Sequence, residues 1–214
     1  AGGSAFRMQP GGALTVNGAV FFQDVSGFQE NIFTGINFRT INSDVESYGV
    51  ELDVGATPLD GLLLQGGFAY TKSERQNDNL VPDGTGGFDV VARGGEQLAN
   101  VPEYVVTGAA TYTVPVSSQF DMELHGNVRW NSEAFLSSIP GLREATKNDA
   151  YALAGARISL VDRDGRFEVS AFAENLFDED SYNLSAFEPP ELSGTIAVYP
   201  SLPRFYGAEV KFNF

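Results

Sequence analysis

The chain has 214 residues, and its 13 basic against 28 acidic side chains leave a formal charge of −15, which repels phosphate and argues against a nucleic-acid partner. Cysteine is absent and histidine occurs once, so a disulfide framework, a thiolate metal site and a His-rich zinc site are all excluded. No run approaches the ~18 apolar residues of a transmembrane helix, and residues 1–20 carry no basic n-region followed by an apolar h-region.

In chain order, a strand stub at 4–8 precedes eight strand candidates near 13–25, 43–55, 61–73, 101–114, 120–132, 149–161, 165–178 and 204–214. Nearly all show period-2 alternation (weaker in Tyr151–Val161), which puts successive side chains on opposite faces of a strand. The clearest is 120–131. Phe120, Met122, Leu124, Gly126, Val128 and Trp130 form one apolar side, against Asp121, Glu123, His125, Asn127, Arg129 and Asn131. Tyr48/Val50/Leu52/Val54, Leu62/Leu64/Gly66/Phe68/Tyr70 and Tyr104/Val106/Gly108/Ala110/Tyr112 repeat the pattern. Most candidates exceed the ~5–6 residues of a soluble strand and fit the ~9–11 of a tilted transmembrane strand.

The connections alternate. Short turns rich in Gly, Pro or Asp fall at Pro10–Gly12, Gly55–Gly61, Pro115–Gln119 and Asp162–Gly165. Long polar connections fall at 26–42, 74–100, 133–148 and 179–203. An outer-membrane barrel has this rhythm, with short periplasmic turns and long outer loops. Aromatics on the apolar faces sort to both strand ends. Tyr112, Phe120, Phe167, Phe212 and Phe214 lie toward short turns, and Tyr48, Phe68, Tyr70, Tyr104, Trp130 and Tyr206 toward long connections. Two aromatic belts around an aliphatic band suit a barrel whose exterior meets lipid. A soluble barrel would instead bury Leu62, Leu64, Leu124 and Val128. The final strand ends Tyr206, Ala208, Val210, Phe212, Phe214, an alternation that resembles the C-terminal assembly signal of outer-membrane barrels.

Several segments resemble the barrel of TonB-dependent outer-membrane receptors. They are Val16–Gln29 (VNGAVFFQDVSGFQ), Ser47–Leu52 (SYGVEL), Leu62–Lys72 (LLLQGGFAYTK), Asn100–Tyr104 (NVPEY), Glu174–Tyr182 (ENLFDEDSY) and Pro203–Phe214 (PRFYGAEVKFNF). The resemblance implies an all-β, antiparallel up-and-down transmembrane barrel, with residues 1–214 supplying about the last eight of 22 strands and no plug. Alone, such a piece is an open curved wall. It implies no enzyme and no cofactor. The whole receptor would bind a scarce nutrient, such as an iron chelate, a cobalamin-like molecule or a saccharide, and import it with TonB-coupled energy. Its partners would be outer-membrane lipid, the rest of the barrel and plug, the TonB complex through the missing N-terminal region, and the barrel-assembly machinery. Long loops would face outward and the C-terminus the periplasm. The alternative is a complete eight-stranded outer-membrane barrel with a structural, adhesive or enzymatic role.

Arg75, Arg93, Arg129 and Arg143 are ligand candidates, because guanidinium pairs well with carboxylate or phosphate; each also reads as a solvated loop or lumen residue. Asp121 and Glu123 share a side but have no nucleophile nearby in sequence, so a solvated lumen face is the better account. The acidic run Asp178–Asp180 and the loop acids Asp78, Asp83 and Asp89 lack calcium-loop spacing, and no metal site is expected. Gly84–Gly87 lacks the Lys-Ser/Thr of a phosphate loop, and Asn183-Leu184-Ser185 is a glycosylation sequon without meaning in a bacterial outer membrane.

Overall fold

A computed structural model of the chain describes residues 2–8, 13–33, 38–82, 85–182 and 195–213. Nine strands form one antiparallel sheet in the order β1 (Gly2–Met8), β2 (Leu14–Phe33), β3 (Phe38–Leu59), β4 (Leu62–Arg75), β7 (Tyr104–Pro115), β8 (Phe120–Asn131), β11 (Tyr151–Asp162), β12 (Phe167–Glu174) and β13 (Phe205–Phe212). Sequence neighbours are sheet neighbours, as in an up-and-down wall. The stub at 4–8 is a full member, pairing Gly2–Met8 with Phe22–Val16, and with the eight expected strands it makes up the nine of the sheet. Among the described residues β1 and β13 pair only with β2 and β12, and the sheet stays open. No described helix is long and apolar enough to cross a membrane, which says nothing about strands.

Register keeps each alternating pattern on its own side. Val54, Gly66, Gly108, Val128 and Ala154 lie opposite one another across five strands. Leu52, Phe68, Val106, Trp130 and Ala152 form the neighbouring row. A slip of one residue would turn a strand's entire apolar set to the other face. Among the described residues nothing covers this apolar face: Val20 is 56% exposed, Val128 44%, Ile158 48% and Val210 55%. Leu64 and Leu124 are also exposed, contrary to what a soluble barrel core requires. The opposite face is polar, with a recess lined in part by Thr15, Asn17, Asp53, Gln65, Thr107 and Arg129.

One expectation is corrected. The connection expected at 26–42 is mostly strand, because β2 and β3 run for 20 and 22 residues. A bulge shifts their register between Val25 and Phe28. Gly27 takes φ 71 there, and its N–H donates to Asp44 Oδ1 at 3.1 Å. Only glycine adopts that conformation without a Cβ penalty. Apolar alternation fades past Val25 although pairing continues, since the ladder needs only backbone partners and no apolar side.

Two other long connections also carry structure. Within 74–100, β5 (Asn79–Pro82) and β6 (Phe88–Ala92) form a hairpin. Within 133–148, β9 (Ala134–Phe135) pairs with β10 (Lys147–Asn148) around the one-turn helix α1 (Pro140–Arg143) and a 3₁₀ turn, Glu144–Thr146. The Pro10–Gly12 turn, Asp83, Gly84, the Asn183 sequon and Phe214 lie outside the described residues.

Candidate functional site

The wall has two ends. On the apolar face at the long-connection end, Tyr48, Tyr70, Tyr104 and Phe68 meet ring to ring. Centroids lie 6.5 Å apart for Tyr48–Tyr70, 5.1 Å for Tyr70–Tyr104 and 6.4 Å for Phe68–Tyr104. Trp130 continues the row, opposite Val106 and Ala152. At the short-turn end, Phe120 and Phe167 meet at 5.6 Å, Phe167 pairs with Phe212, and Tyr112 lies opposite Leu62 and Leu124. Tyr206 and Val210 stand on the same face of β13, opposite Ala173 and Val169.

The polar face is laced by cross-strand contacts. Arg157 pairs with Glu209 at 2.7 Å and Glu168 at 3.3 Å, joining three strands. Asp121 accepts two hydrogen bonds from Arg163 in the β11–β12 turn, at 2.9 and 2.6 Å. It is therefore half of an ion pair rather than a partner for Glu123. His125 Nδ1 and Thr111 Oγ1 lie 2.8 Å apart.

The four candidate arginines separate into two groups. Arg129 lies on the polar face, exposed, with its Nε donating to Asn131 Oδ1 at 3.1 Å. Arg93 is exposed in the connection after β6. Arg75 and Arg143 are buried, at 0% and 7% exposure, and both belong to one cluster above the aromatic row. Arg75 Nη2 donates to both carboxylate oxygens of Glu30 at 2.7 Å and to Ser138 Oγ at 2.6 Å, while its Nε reaches Glu30 Oε2 at 3.1 Å. Ser138 Oγ also donates to Glu30 Oε1. The Arg143 guanidinium stacks 3.8 Å from the Phe135 ring centroid, and its Nη1 donates to the Gln97 carbonyl at 3.0 Å. Burial pulls its pKa below the ordinary value; Glu96 opposes that and Arg75 adds to it. At the rim, Lys147 sits 2.6 Å from Glu133, and this hydrogen bond raises the ammonium pKa.

Sequence reasoning did not find Glu30, Gln97 or Ser138. They come from separate connections, with Glu30 and Ser138 108 positions apart, and no local spacing announces such a meeting. The acidic run after β12 has a local explanation. Asn175, at φ 47 and nearly buried, donates through Nδ2 to the carbonyls of Glu179 and Leu202 and accepts from Glu179 N at 2.9 Å. Asp178, at φ 59, accepts from Arg204 N at 3.1 Å and pairs with its guanidinium at 3.5 Å. The ENLFDEDSY and PRFYG segments are thus two halves of one staple. Among the described residues no cluster of His, Cys, Asp and Glu could hold a metal ion.

An open antiparallel wall with a lipid-compatible, aromatic-ended outer face and a polar inner face is part of a transmembrane β-barrel. A family model described as "TonB dependent receptor-like, beta-barrel" matches residues 5–176, and the chain belongs to this family, which comprises receptors and transporters of the outer membrane rather than enzymes. Solved structures agree on the fold. The ferric yersiniabactin uptake receptor FyuA from Yersinia pestis superposes with a TM-score of 0.75 at 15% identity, over 97% of this chain and 28% of that one. The ferric-catecholate import receptor Fiu from K12 E. coli gives 0.65 at 17%, over 97% and 26%. The copper transporter OprC gives 0.69 at 15%, over 98% and 29%. The chain thus spans less than a third of the length of these receptors.

Proposed function

We propose that this chain is one arc of the wall, with its outer connections, of an outer-membrane receptor that takes up a scarce nutrient with TonB-coupled energy. The observation that carries the reading is the pair of aromatic rows on one face of a sheet whose other face is polar, in a chain of this family. The aromatic rows mark the two membrane interfaces. Long connections face outward and β13 ends toward the periplasm. The polar face lines the lumen against a plug supplied by other residues of the receptor, through which TonB acts. Tyr206, Val210, Phe212 and Phe214 are the strand read by the assembly machinery. Arg93 and Arg129, exposed on an outer connection and on the lumen face, are the arginines placed to meet an anionic cargo.

The cargo is an iron chelate, a cobalamin-like molecule or a saccharide; two iron-chelate receptors and a copper transporter share this wall. A complete eight-stranded barrel would join its first strand to its last, whereas among the described residues β1 and β13 do not pair with each other. The test is uptake of radiolabelled ferric chelates, cyanocobalamin and oligosaccharides by cells with and without the receptor gene, each with and without active TonB. Loss of one class on either deletion is expected. Unchanged uptake of all three classes, or uptake independent of TonB, would sink the proposal.

A further inference from the structure

The ion cluster at the outer end of the wall sits where a buried charge is hard to justify by stability. The apolar packing around it is small: Ile41 and Ala92 with Val91 against them, and Leu136 among the few other buried apolar side chains. Burying an ion pair in so little core costs more in desolvation than apolar side chains of the same volume would. What the charges add is direction. Glu30 comes from the β2–β3 hairpin, Arg75 from the top of β4, Ser138 and Arg143 from the 132–150 connection, and Glu96 and Gln97 from the 76–103 connection.

Backbone bonds continue the same joints. Arg75 N donates to Glu96 O at 3.2 Å, Gly95 N to Arg75 O at 2.7 Å, and Asn100 N to Phe135 O at 2.8 Å. Asn79 Nδ2 reaches Ser43 Oγ at 2.8 Å, tying the β5–β6 hairpin to β3.

The network is also incomplete. Among the described residues, Arg75 Nη1 and Glu96 Oε2 are buried without a hydrogen-bond partner, and Arg143 Nε reaches Glu96 Oε2 only at 3.9 Å. Two unsatisfied charged atoms raise the free energy of the closed arrangement, while opening would hydrate both.

We propose that Glu30, Arg75 and Ser138 form a releasable latch, which seats the 132–150 connection on the wall and makes it open and close together with the 76–103 connection. The Ser138 hydroxyl is the point at which the 132–150 connection touches the Glu30–Arg75 pair, accepting from Arg75 and donating to Glu30.

The test is amide hydrogen exchange on the full-length receptor in detergent micelles, with heat-modifiable gel mobility confirming that each variant is folded. Exchange in native proteins reports local opening apart from global unfolding. Ser138→Ala removes the touching hydroxyl and leaves the ion pair. It is expected to speed exchange at 134–148 by about 10-fold while β7 and β8 keep wild-type rates. Arg75→Met is expected to speed exchange by about 100-fold at 134–148 and at 94–100 together. Arg75→Lys, which keeps the charge but not the fork, should fall between wild type and Arg75→Met. Unchanged rates at 134–148 in Ser138→Ala would overturn the latch. So would a rise spread equally over β7 and β8, or loosening of 134–148 in Arg75→Met without 94–100.

Discussion

Placing an arginine at Leu124 and, separately, at its neighbour His125 asks the wall which side faces lipid. Phe120 and Trp130 are ten positions apart on β8. At ~3.3 Å per residue and a tilt of ~40°, they stand about 25 Å apart along the barrel axis, the height of an outer-membrane barrel's apolar band. Leu124 then lies about 10 Å from the Phe120 level and close to the midplane. It is 39% exposed, between Tyr112 and Ile158 on the apolar face.

Arginine there should cost about 2–4 kcal/mol, because no lumen or headgroup is within easy reach of its charge. That is roughly a 30- to 900-fold loss in the folding equilibrium. Arginine at His125, one residue away at the same depth, faces the polar side and loses the contact with Thr111, worth about 1 kcal/mol. The assay is folding of the full-length receptor into phospholipid vesicles over a urea series, scored by heat-modifiable mobility. The reasoning fails if His125→Arg costs as much as Leu124→Arg, since the two faces would then be equivalent.

Three further outcomes follow from local geometry. Gly61 holds φ 80 in the β3–β4 turn, and a Cβ there would lie 2.3 Å from the Thr113 carbonyl oxygen. Gly61→Ala should therefore cost about 1–3 kcal/mol in the same vesicle assay, whereas Gly55→Ala, which meets open space, should be near neutral. Asn175→Ala removes three part-buried hydrogen bonds and should loosen the β12–β13 connection by about 2–3 kcal/mol. Limited proteolysis of the folded receptor reads this directly, and Asn175→Gly separates the lost side chain from the left-handed backbone. Deleting Phe214 should lower the outer-membrane yield of the receptor; an unchanged yield on membrane fractionation would remove the assembly-signal reading.

Strand identity and the sorting of faces were legible because they are local. A period of two along Phe120–Asn131 already states that Leu124 and His125 oppose each other, and any antiparallel register consistent with the neighbouring strands preserves it. Aromatics could be assigned to strand ends for the same reason, and Tyr70 and Tyr104, both assigned to the long-connection end, fall opposite one another. Strand length was less legible. The β2–β3 hairpin continues through Phe28 and Glu30 by way of a glycine bulge, where alternation has lost its apolar partner and pairing alone sustains the strand.

The arginines show where local reading stops. Arg75, Arg93, Arg129 and Arg143 look equivalent as residues: each is one cation in a polar stretch. Only the folded chain brings Glu30 and Ser138 to Arg75, and Phe135 and Gln97 to Arg143. Those contacts make two of the four internal braces and leave Arg93 and Arg129 exposed. Alternation is encoded between adjacent residues, so a strand's faces are settled before anything packs. An ion pair between distant connections is encoded nowhere along the chain, and it exists only once the wall has set the positions of its loops.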